Sequence, residues 1–284
     1  MTRIVVVGDA GLDVLAAAAN LPEPGGDARA AITLRPGGAG ANTAAWLADV
    51  GAAPVLLGRV GADPAAAQVH AELERAGVEA VLAADPGAPT CTVVVLVDGS
   101  GQRTMLADRG AAGRLAPADI DPAALAGARH LHLSGYVLLD PSSRPAGRHA
   151  LAAAAAAGLT TSVDPQAAAL LTDPRGFLAM VAGVDLLLPS AGELAALGGA
   201  AAVLAAVGAV AVTAGPGGAT WVDRTGRWDV PAEPVDPVDT TGAGDAFDAG
   251  LLAAWTGGAA PLAALRAGVA TGTRAVIHPG AWPG

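Results

Sequence analysis

The chain has 284 residues and no lysine: all 16 of its Lys+Arg positions are arginine. That absence excludes every mechanism needing an ammonium side chain, among them the Walker A lysine that holds nucleotide phosphates, the strand lysine of protein kinases and Schiff-base lysines. Arginine alone must serve any cationic role. Cysteine is nearly absent as well. The single Cys91 excludes an intramolecular disulfide and a multi-cysteine zinc site, and it fits a reducing, cytoplasmic setting. Positive charge is scarce overall, for the formal net charge is −10. A chain so acidic has no bulk attraction for nucleic acid or an anionic membrane, so neither is expected as a partner. The one long stretch without charge, 194–222, is broken by six glycines and Pro216, and reads as a helix, a turn and a buried strand rather than a bilayer span. No secretory leader is expected either, because Asp9 and Asp13 interrupt the short apolar run 4–7.

What is present is alanine, roughly a quarter of the chain, which inflates the apolar fraction without adding core volume. Length suits one large α/β domain. Short β-branched runs alternate with Ala/Leu-rich stretches, the pattern of a mainly parallel sheet between helices. Strands are expected at 3–7, 54–59, 130–134, 160–163, 185–188 and 209–213, and helices at 40–49, 64–76, 143–157, 192–197, 244–255 and 261–276. Two segments break the alternation. These are 28–34, and 91–106, where 92–97 and 102–106 flank Asp98-Gly99-Ser100-Gly101 as a hairpin. Such polar-alternating strands suit a small separate β layer over one edge of the main sheet, with a covering role.

The densest chemical signal is Asp239-Thr240-Thr241-Gly242-Ala243-Gly244-Asp245-Ala246-Phe247, a Gly-rich turn that runs directly into a helix. Backbone amides exposed at a helix N-terminus, aided by the aligned peptide dipoles, bind phosphoryl charge without lysine. Asp245 in the first turn could take a proton from an attacking hydroxyl, or simply cap the helix.

This stretch resembles the DTxGAGDxF signature of the ribokinase-like (PfkB-type) carbohydrate kinases. A second motif, Gly37-Gly38-Ala39-Gly40-Ala41-Asn42, resembles that family's GGxxxN, with Gly8 and Asp13 upstream resembling its first strand and substrate aspartate. The resemblance covers nearly the whole chain. It implies one three-layer α/β ribokinase-like domain over 1–284, with a mainly parallel central sheet and a small β-sheet lid from segments near 10–16, 28–36 and 91–108. It further implies ATP-dependent phosphorylation of a hydroxymethyl group on a small sugar or sugar derivative. In that reading Asp245 is the general base, and the Gly242, Ala243 and Gly244 amides form the anion hole. Asp13, Gly37, Gly38, Asn42 and Gly11 lie at the substrate, and Arg103, with Arg109, could clamp an anionic group on it.

The resemblance places ATP against Thr213, Gly215 and Gly218 of a T-x-G-x-x-G turn. Adenine is then expected among 235–238 and the helix carrying Gly268 and Thr271. Mg²⁺ would be organised indirectly by Glu193 of Ser190-Ala191-Gly192-Glu193, and a K⁺ site is implied near Asp239, Thr240 and the carbonyls of 275–280. The chain departs from the family pattern at Ser190 and Gln166, where asparagines are usual. Gly11, Ala39 and Gly135 stand where ribokinases proper carry polar substrate contacts, which points away from ribose and leaves room for a larger acceptor.

A nucleoside kinase of the same family is therefore one alternative. A non-catalytic ligand-binding relative is a second, and a dinucleotide-dependent oxidoreductase, resting on Gly8-Asp9-Ala10-Gly11 after the first strand, is a third with the wrong glycine spacing. His130 and His132 alternate on a strand without a third ligand at metal spacing and read as structural. Trp46, Trp221, Trp228, Trp255 and Trp282 show no stacking period and read as packing residues. A lid with an open strand edge could also pair with its copy in a homodimer.

Overall fold

The computed structural model describes residues 1–20, 22–23, 25–99 and 102–284. Its first strand, β1 (Arg3–Val7), points Ile4 and Val6 to one side and Val5 and Val7 to the other, all fully buried. A strand apolar on both faces has to be covered on both. After it come β2 (Gly11–Ala17), β3 (Ala31–Gly37), α1 (Ala39–Asp49), β4 (Ala53–Gly61), α2 (Pro64–Arg75), β5 (Glu79–Asp85), β6 (Cys91–Val97) and β7 (Arg103–Asp108). The second half holds β8 (His130–Ser134), α3 (Tyr136–Leu139), α4 (Arg144–Ala156), β9 (Thr160–Asp164), α5 (Pro174–Met180), β10 (Leu186–Leu187) and α6 (Ala191–Ala196). It closes with α7 (Ala200–Leu204), β11 (Ala209–Thr213), β12 (Ala219–Asp223), β13 (Arg227–Val230), α8 (Ala243–Thr256) and α9 (Pro261–Val276).

Nine strands make the central sheet, ordered β13-β12-β11-β10-β9-β8-β1-β4-β5 and parallel except for β12 and β13. Helices α1, α2, α8 and α9 pack on the Ile4/Val6 face and α3 to α7 on the Val5/Val7 face, which gives the expected three layers. The strand order reverses between β1 and β8, since β4 and β5 lie to one side of β1 and β8 to β11 to the other. A crevice opens at the carboxyl ends of the strands at such a reversal.

Three expectations change. The strand at 185–188 shrinks to Leu186–Leu187, because Asp185 turns its carboxylate back to accept from the Thr161 amide and hydroxyl, and Pro189 ends the pairing. The third strand lies at Ala31–Gly37, later than 28–34. Strands β5, β12 and β13 and helices α3, α5 and α7 are additional. The uncharged stretch breaks after α6 at Gly198 and Gly199, with φ of 91° and 87°, and continues as α7, β11 and β12. Among the described residues no helix is long and apolar enough to cross a membrane.

A second sheet, β3-β2-β6-β7, stands apart from the first. Strand β2 runs parallel to β6, and both outer pairs are antiparallel. Its register sorts two faces. One carries the cross-strand row Arg35, Asp13, Val93 and Ala107, and the other the row Leu34, Val14, Val94 and Leu106. Ser100 and Gly101 of the expected hairpin turn lie outside the described residues.

Candidate active site

Helix α8 starts where the Gly-rich turn ends. Gly242 is its N-cap with φ 72° and ψ 5°, a left-handed conformation that costs a residue with a Cβ about 1–2 kcal/mol. No side chain caps this end. The Ala243 amide makes only a long bond of 3.4 Å to the Thr240 carbonyl, and the Gly244 amide beyond it is free, among the described residues, for the anion that such a helix N-terminus can hold. Asp245, in the first turn, does not act as a cap. Its buried Oδ2 accepts from Asn42 Nδ2 at 2.9 Å. Burial pushes its carboxyl up to about 7, against hydrogen bonds from Asn42 and Gln166 that favour the ionised form.

Asn42 lies within α1, whose N-cap Gly38 has φ 94° and leaves no room for a side chain against the Asp9 carbonyl. The amide of Asn42 is held at both ends, for Oδ1 accepts from Trp282 Nε1 at 2.9 Å while Nδ2 donates to Asp245. These two bonds fix the amide plane and so orient the Asp245 carboxylate. Trp282 was read as a packing residue. Its position gives no local signal for this contact, since 240 residues of chain separate it from Asn42.

The C-terminal segment is stitched beside this site by further bonds. Trp46 Nε1 donates to the Ala281 carbonyl at 2.8 Å, and the Gly280 amide donates to Asp239 Oδ2 at 3.0 Å. Asp239 also accepts from the Thr241 amide at 2.8 Å and pairs with Arg103 at 2.6 Å. Burial raises its carboxyl, but these donors prevail and hold it below the ordinary value. Arg103, which also meets the Thr241 hydroxyl, thus ties β7 to the loop before α8. Of the 275–280 carbonyls expected around a monovalent cation, Val276 accepts from the Val238 and Asp239 amides, Ala275 from the His278 amide and Pro279 from Arg35. Thr240 is exposed at the mouth of the cavity below.

Asp13 sits in β2 on the face of the small sheet that carries Arg35 and Arg103. Burial, and then the neighbouring Asp239, push its carboxyl up to about 6. Gly37 makes space for that carboxylate, as a Cβ there would fall 2.4 Å from Oδ1. The widening expected at Gly11 and Gly135 is absent. A Cβ at Gly11 would lie 2.3 Å from the Cys91 carbonyl and one at Gly135 2.4 Å from the Asp164 carbonyl, so neighbouring backbone fills both places. Arg109 is closed to any ligand phosphate as well, holding Asp9 through two bonds of 2.7 and 3.0 Å and Asp140 at 2.7 Å.

A cavity of about 200 Å³ adjoins the anion hole, lined by Asp164, Gln166, Ser190, Glu193, Thr213, Thr240, the Gly242–Asp245 turn and Asp248. Ser190 and Glu193 form a capping box for α6, with Glu193 Oε2 accepting from the Ser190 amide at 2.7 Å. This explains serine at that position. Asp164 and Asp248 are neighbours, and the carboxyls of both are raised by burial and by nearby carboxylates. Asp248 lies one helical turn after Asp245, on the same face, a spacing that could have marked it in the sequence. Gln166 holds both oxygens of Asp164, at 2.9 and 2.8 Å, with φ of 73°, the one positive φ outside glycine among the described residues. A strained residue held this firmly is typical of a functional site.

In the nucleotide turn, Gly215 is open to solvent. Gly218 instead faces Val230, and its amide bonds the Gly215 carbonyl, so it shapes the turn. Gly268 and Thr271 face α8, where they pack on Phe247 and Gly250. His130 and His132 bond Thr160 and Ser162 at 2.8–2.9 Å and are pushed down to about 3 by burial, hence neutral. Among the described residues no cluster of three His, Cys, Asp or Glu is placed to ligate a metal directly. Strand β1 leads into β2 and not into a helix, so the dinucleotide fingerprint has no structural counterpart. A larger depression of about 580 Å³, around Asp185, Trp221 and Trp255, lies at the amino ends of the strands and contains none of these groups.

The profile of the pfkB family of carbohydrate kinases matches residues 1–283. An ATP-dependent ribose-1-phosphate kinase of Halopiger xanaduensis is 34% identical over 263 residues, covering 90% of this chain and 85% of its own. A fructokinase of Klebsiella pneumoniae is 34% identical over 268 residues, covering 88% and 83%. The crystal structure of adenosine kinase from Sinorhizobium meliloti superposes with a TM-score of 0.87 at 24% identity, covering 99% of this chain and 96% of that one, and so shares the fold.

Proposed function

Since the chain belongs to the pfkB family of carbohydrate kinases, we propose that it transfers the γ-phosphoryl group of ATP to a hydroxymethyl group of a small sugar or sugar derivative. The observation that carries this reading is Asp245, a buried carboxylate pushed up to about 7 and aimed by Asn42, next to the helix N-terminus that the Gly242–Gly244 turn opens without a side-chain cap. A base near neutral pH suits proton removal from an alcohol. The acceptor oxygen loses its proton to Asp245 as its bond to the γ-phosphorus forms and the bond from that phosphorus to the β–γ bridging oxygen breaks. The products are a phosphate ester, ADP and one proton, which passes from Asp245 to water. The turn amides hold the phosphoryl charge in flight.

Asp13 accepts hydrogen bonds from acceptor hydroxyls, beside Gly11, Gly37 and Gly38, and the small sheet covers the acceptor as a lid. Thr213 and Gly215 lie toward the nucleotide phosphates. The carboxylates around the 200 Å³ cavity suit Mg²⁺ that keeps its water shell, and Glu193 would hold such waters. Bound there, Mg²⁺ supplies neutralising charge to the phosphates. At Asp239, Arg103 already supplies the charge that a monovalent cation would.

The nucleoside alternative rests on pocket width at Gly11, Ala39 and Gly135, and backbone fills the space at Gly11 and Gly135. The non-catalytic alternative has to account for a base so fully held. ADP release with Mg-ATP across sugars, sugar acids, sugar phosphates and nucleosides, beside Asp245→Asn, is the deciding test. Turnover of one acceptor class, lost by about 10³-fold in the variant, supports the kinase reading. Saturable binding without turnover of any acceptor overturns it. We further propose a homodimer through the outer face of the small sheet and a cytoplasmic setting, the latter supported by the buried Cys91, whose thiol burial pushes up to about 12.

A further inference from the structure

Three arginines approach the acceptor side of the site, and two are neutralised. Arg109 is paired with Asp9 and Asp140, and Arg103 with Asp239. Arg35 differs. Among the described residues it has no carboxylate partner, and its one bond is from Nη1 to the Pro279 carbonyl at 3.2 Å.

The backbone register explains where it points. Arg35 of β3 stands directly opposite Asp13 of β2, so both side chains leave the sheet on the face that looks onto the strand ends of the main sheet. Opposite charges in such a pair would ordinarily meet, yet here they do not. Arg35 is drawn aside onto the C-terminal segment, where Gly280 offers the space: a Cβ at Gly280 would come within 3.1 Å of Arg35 Nη1. The same glycine donates its amide to Asp239, so the segment that fixes Arg35 is itself fixed to the loop before α8. With Nη1 held by a carbonyl, Nη2 and Nε remain as a charged fork of donors on the face of the sheet that also carries Asp13. A planar fork of this kind matches two oxygens of a phosphate or carboxylate.

We propose that Arg35 binds an anionic substituent of the acceptor while Asp13 takes its hydroxyls, so that the acceptor class is a sugar phosphate or sugar acid in preference to a neutral sugar. The proposal deepens the kinase reading and rests on the acceptor site assigned there. The chain's net charge of −10 makes a local cation necessary for such a substrate, because the molecule as a whole repels anions. A charge-assisted fork at a half-buried position corresponds to about 10- to 100-fold in affinity.

The test separates binding from turnover. Titration calorimetry without nucleotide compares ribose 1-phosphate with ribose, and adds inorganic phosphate as competitor, in the wild type, Arg35→Gln and Arg35→Lys. Expected are at least about 10-fold tighter binding of ribose 1-phosphate than of ribose, competition by phosphate, and collapse of that preference to about threefold or less in Arg35→Gln. Partial recovery is expected in Arg35→Lys, which keeps the charge but not the fork. Equal binding of both sugars by the wild type, binding of neither, or a preference untouched by Arg35→Gln overturns the proposal. ADP release is followed on the same two sugars. Arg35-dependent binding without ADP release would sink the kinase reading and leave this one standing, whereas ADP release with no preference for the phosphate does the reverse.

Discussion

Asp245 sets the pH range of the site. With its carboxyl at about 7, kcat/KM should rise about tenfold per pH unit below 7 and flatten above it, since only the ionised form accepts the proton. The sign for stability is opposite. The fold prefers the protonated form of a carboxyl raised from 3.8 to about 7, so its stabilising contribution is present below 3.8 and lost as pH rises through 7. Asp245→Asn should therefore melt higher than the wild type at pH 8, by up to about 4 kcal/mol, and show little gain at pH 4. Melts of both proteins at the two pH values check this, and an equal shift at each would count against a buried charge. Trp282 acts on the same carboxylate at one remove. Trp282→Phe frees the Asn42 amide to rotate, which should lower kcat/KM about tenfold and move the pH inflection upward, because Asn42 favours the ionised form. An unchanged inflection would assign Trp282 to packing alone.

At the scale of elements, Gly242 and Gly244 give contrasting outcomes within one turn. A Cβ at Gly242 meets a φ of 72° and lies 2.7 Å from the Ala281 carbonyl, so Gly242→Ala strains the cap and displaces the segment carrying Gly280 and Trp282. A loss of about 1–3 kcal/mol in stability and about 10²-fold in kcat is expected, measured well below the melting point. A Cβ at Gly244 meets nothing within 4 Å. Gly244→Ala should then melt no lower than the wild type, since alanine favours a helix, while KM for ATP rises. Equal melting losses in both variants would refute the distinction. This turn was legible in the sequence because its small residues and its helix are contiguous. The buried strands β1 and β11 were legible for a related reason, each being a nearly unbroken apolar run, whereas β8 and β9 carry His130, His132, Thr160, Thr161 and Ser162 and were marked by alternation in the one and β-branched residues in the other. Strands β5 and β12 were not. They lie toward the edges of the sheet, where one face meets solvent and the pattern of burial is mixed. Nor were the partners of Asp245 legible, because Asn42 lies 203 residues away and the contact exists only once β1, α1 and α8 are packed. The opposite error occurred at Gly11 and Gly135. A missing side chain looks like free volume in a sequence, and only the fold shows that backbone occupies it.

At the scale of the whole molecule, the small sheet leaves an apolar surface without a cover among the described residues. On the outer face of the small sheet the row Leu34, Val14, Val94 and Leu106 crosses all four strands, and Ile32, Ala16 and Leu96 extend it. Leu34 is 55%, Leu106 60% and Ile32 65% exposed, although β-strands of a folded chain normally bury such side chains against something. The face turned to the active site carries Asp13, Arg35 and Arg103 instead, so the two sides of one sheet have different duties. A two-fold pairing of this face with its copy would cover both sets of leucines at once, because an isologous contact repeats each residue on both sides. Pairing would also stiffen the sheet that positions Asp13. Leu34→Asp places a charge in the middle of the row and should convert a dimer into a monomer in sedimentation velocity, with KM for the acceptor rising and the melting point of the α/β body nearly unchanged. The rise in KM is the discriminating observation: a variant that turns monomeric with an unaltered KM would confine the contact to assembly, and a wild type that sediments as a monomer at micromolar concentration would remove the pairing altogether.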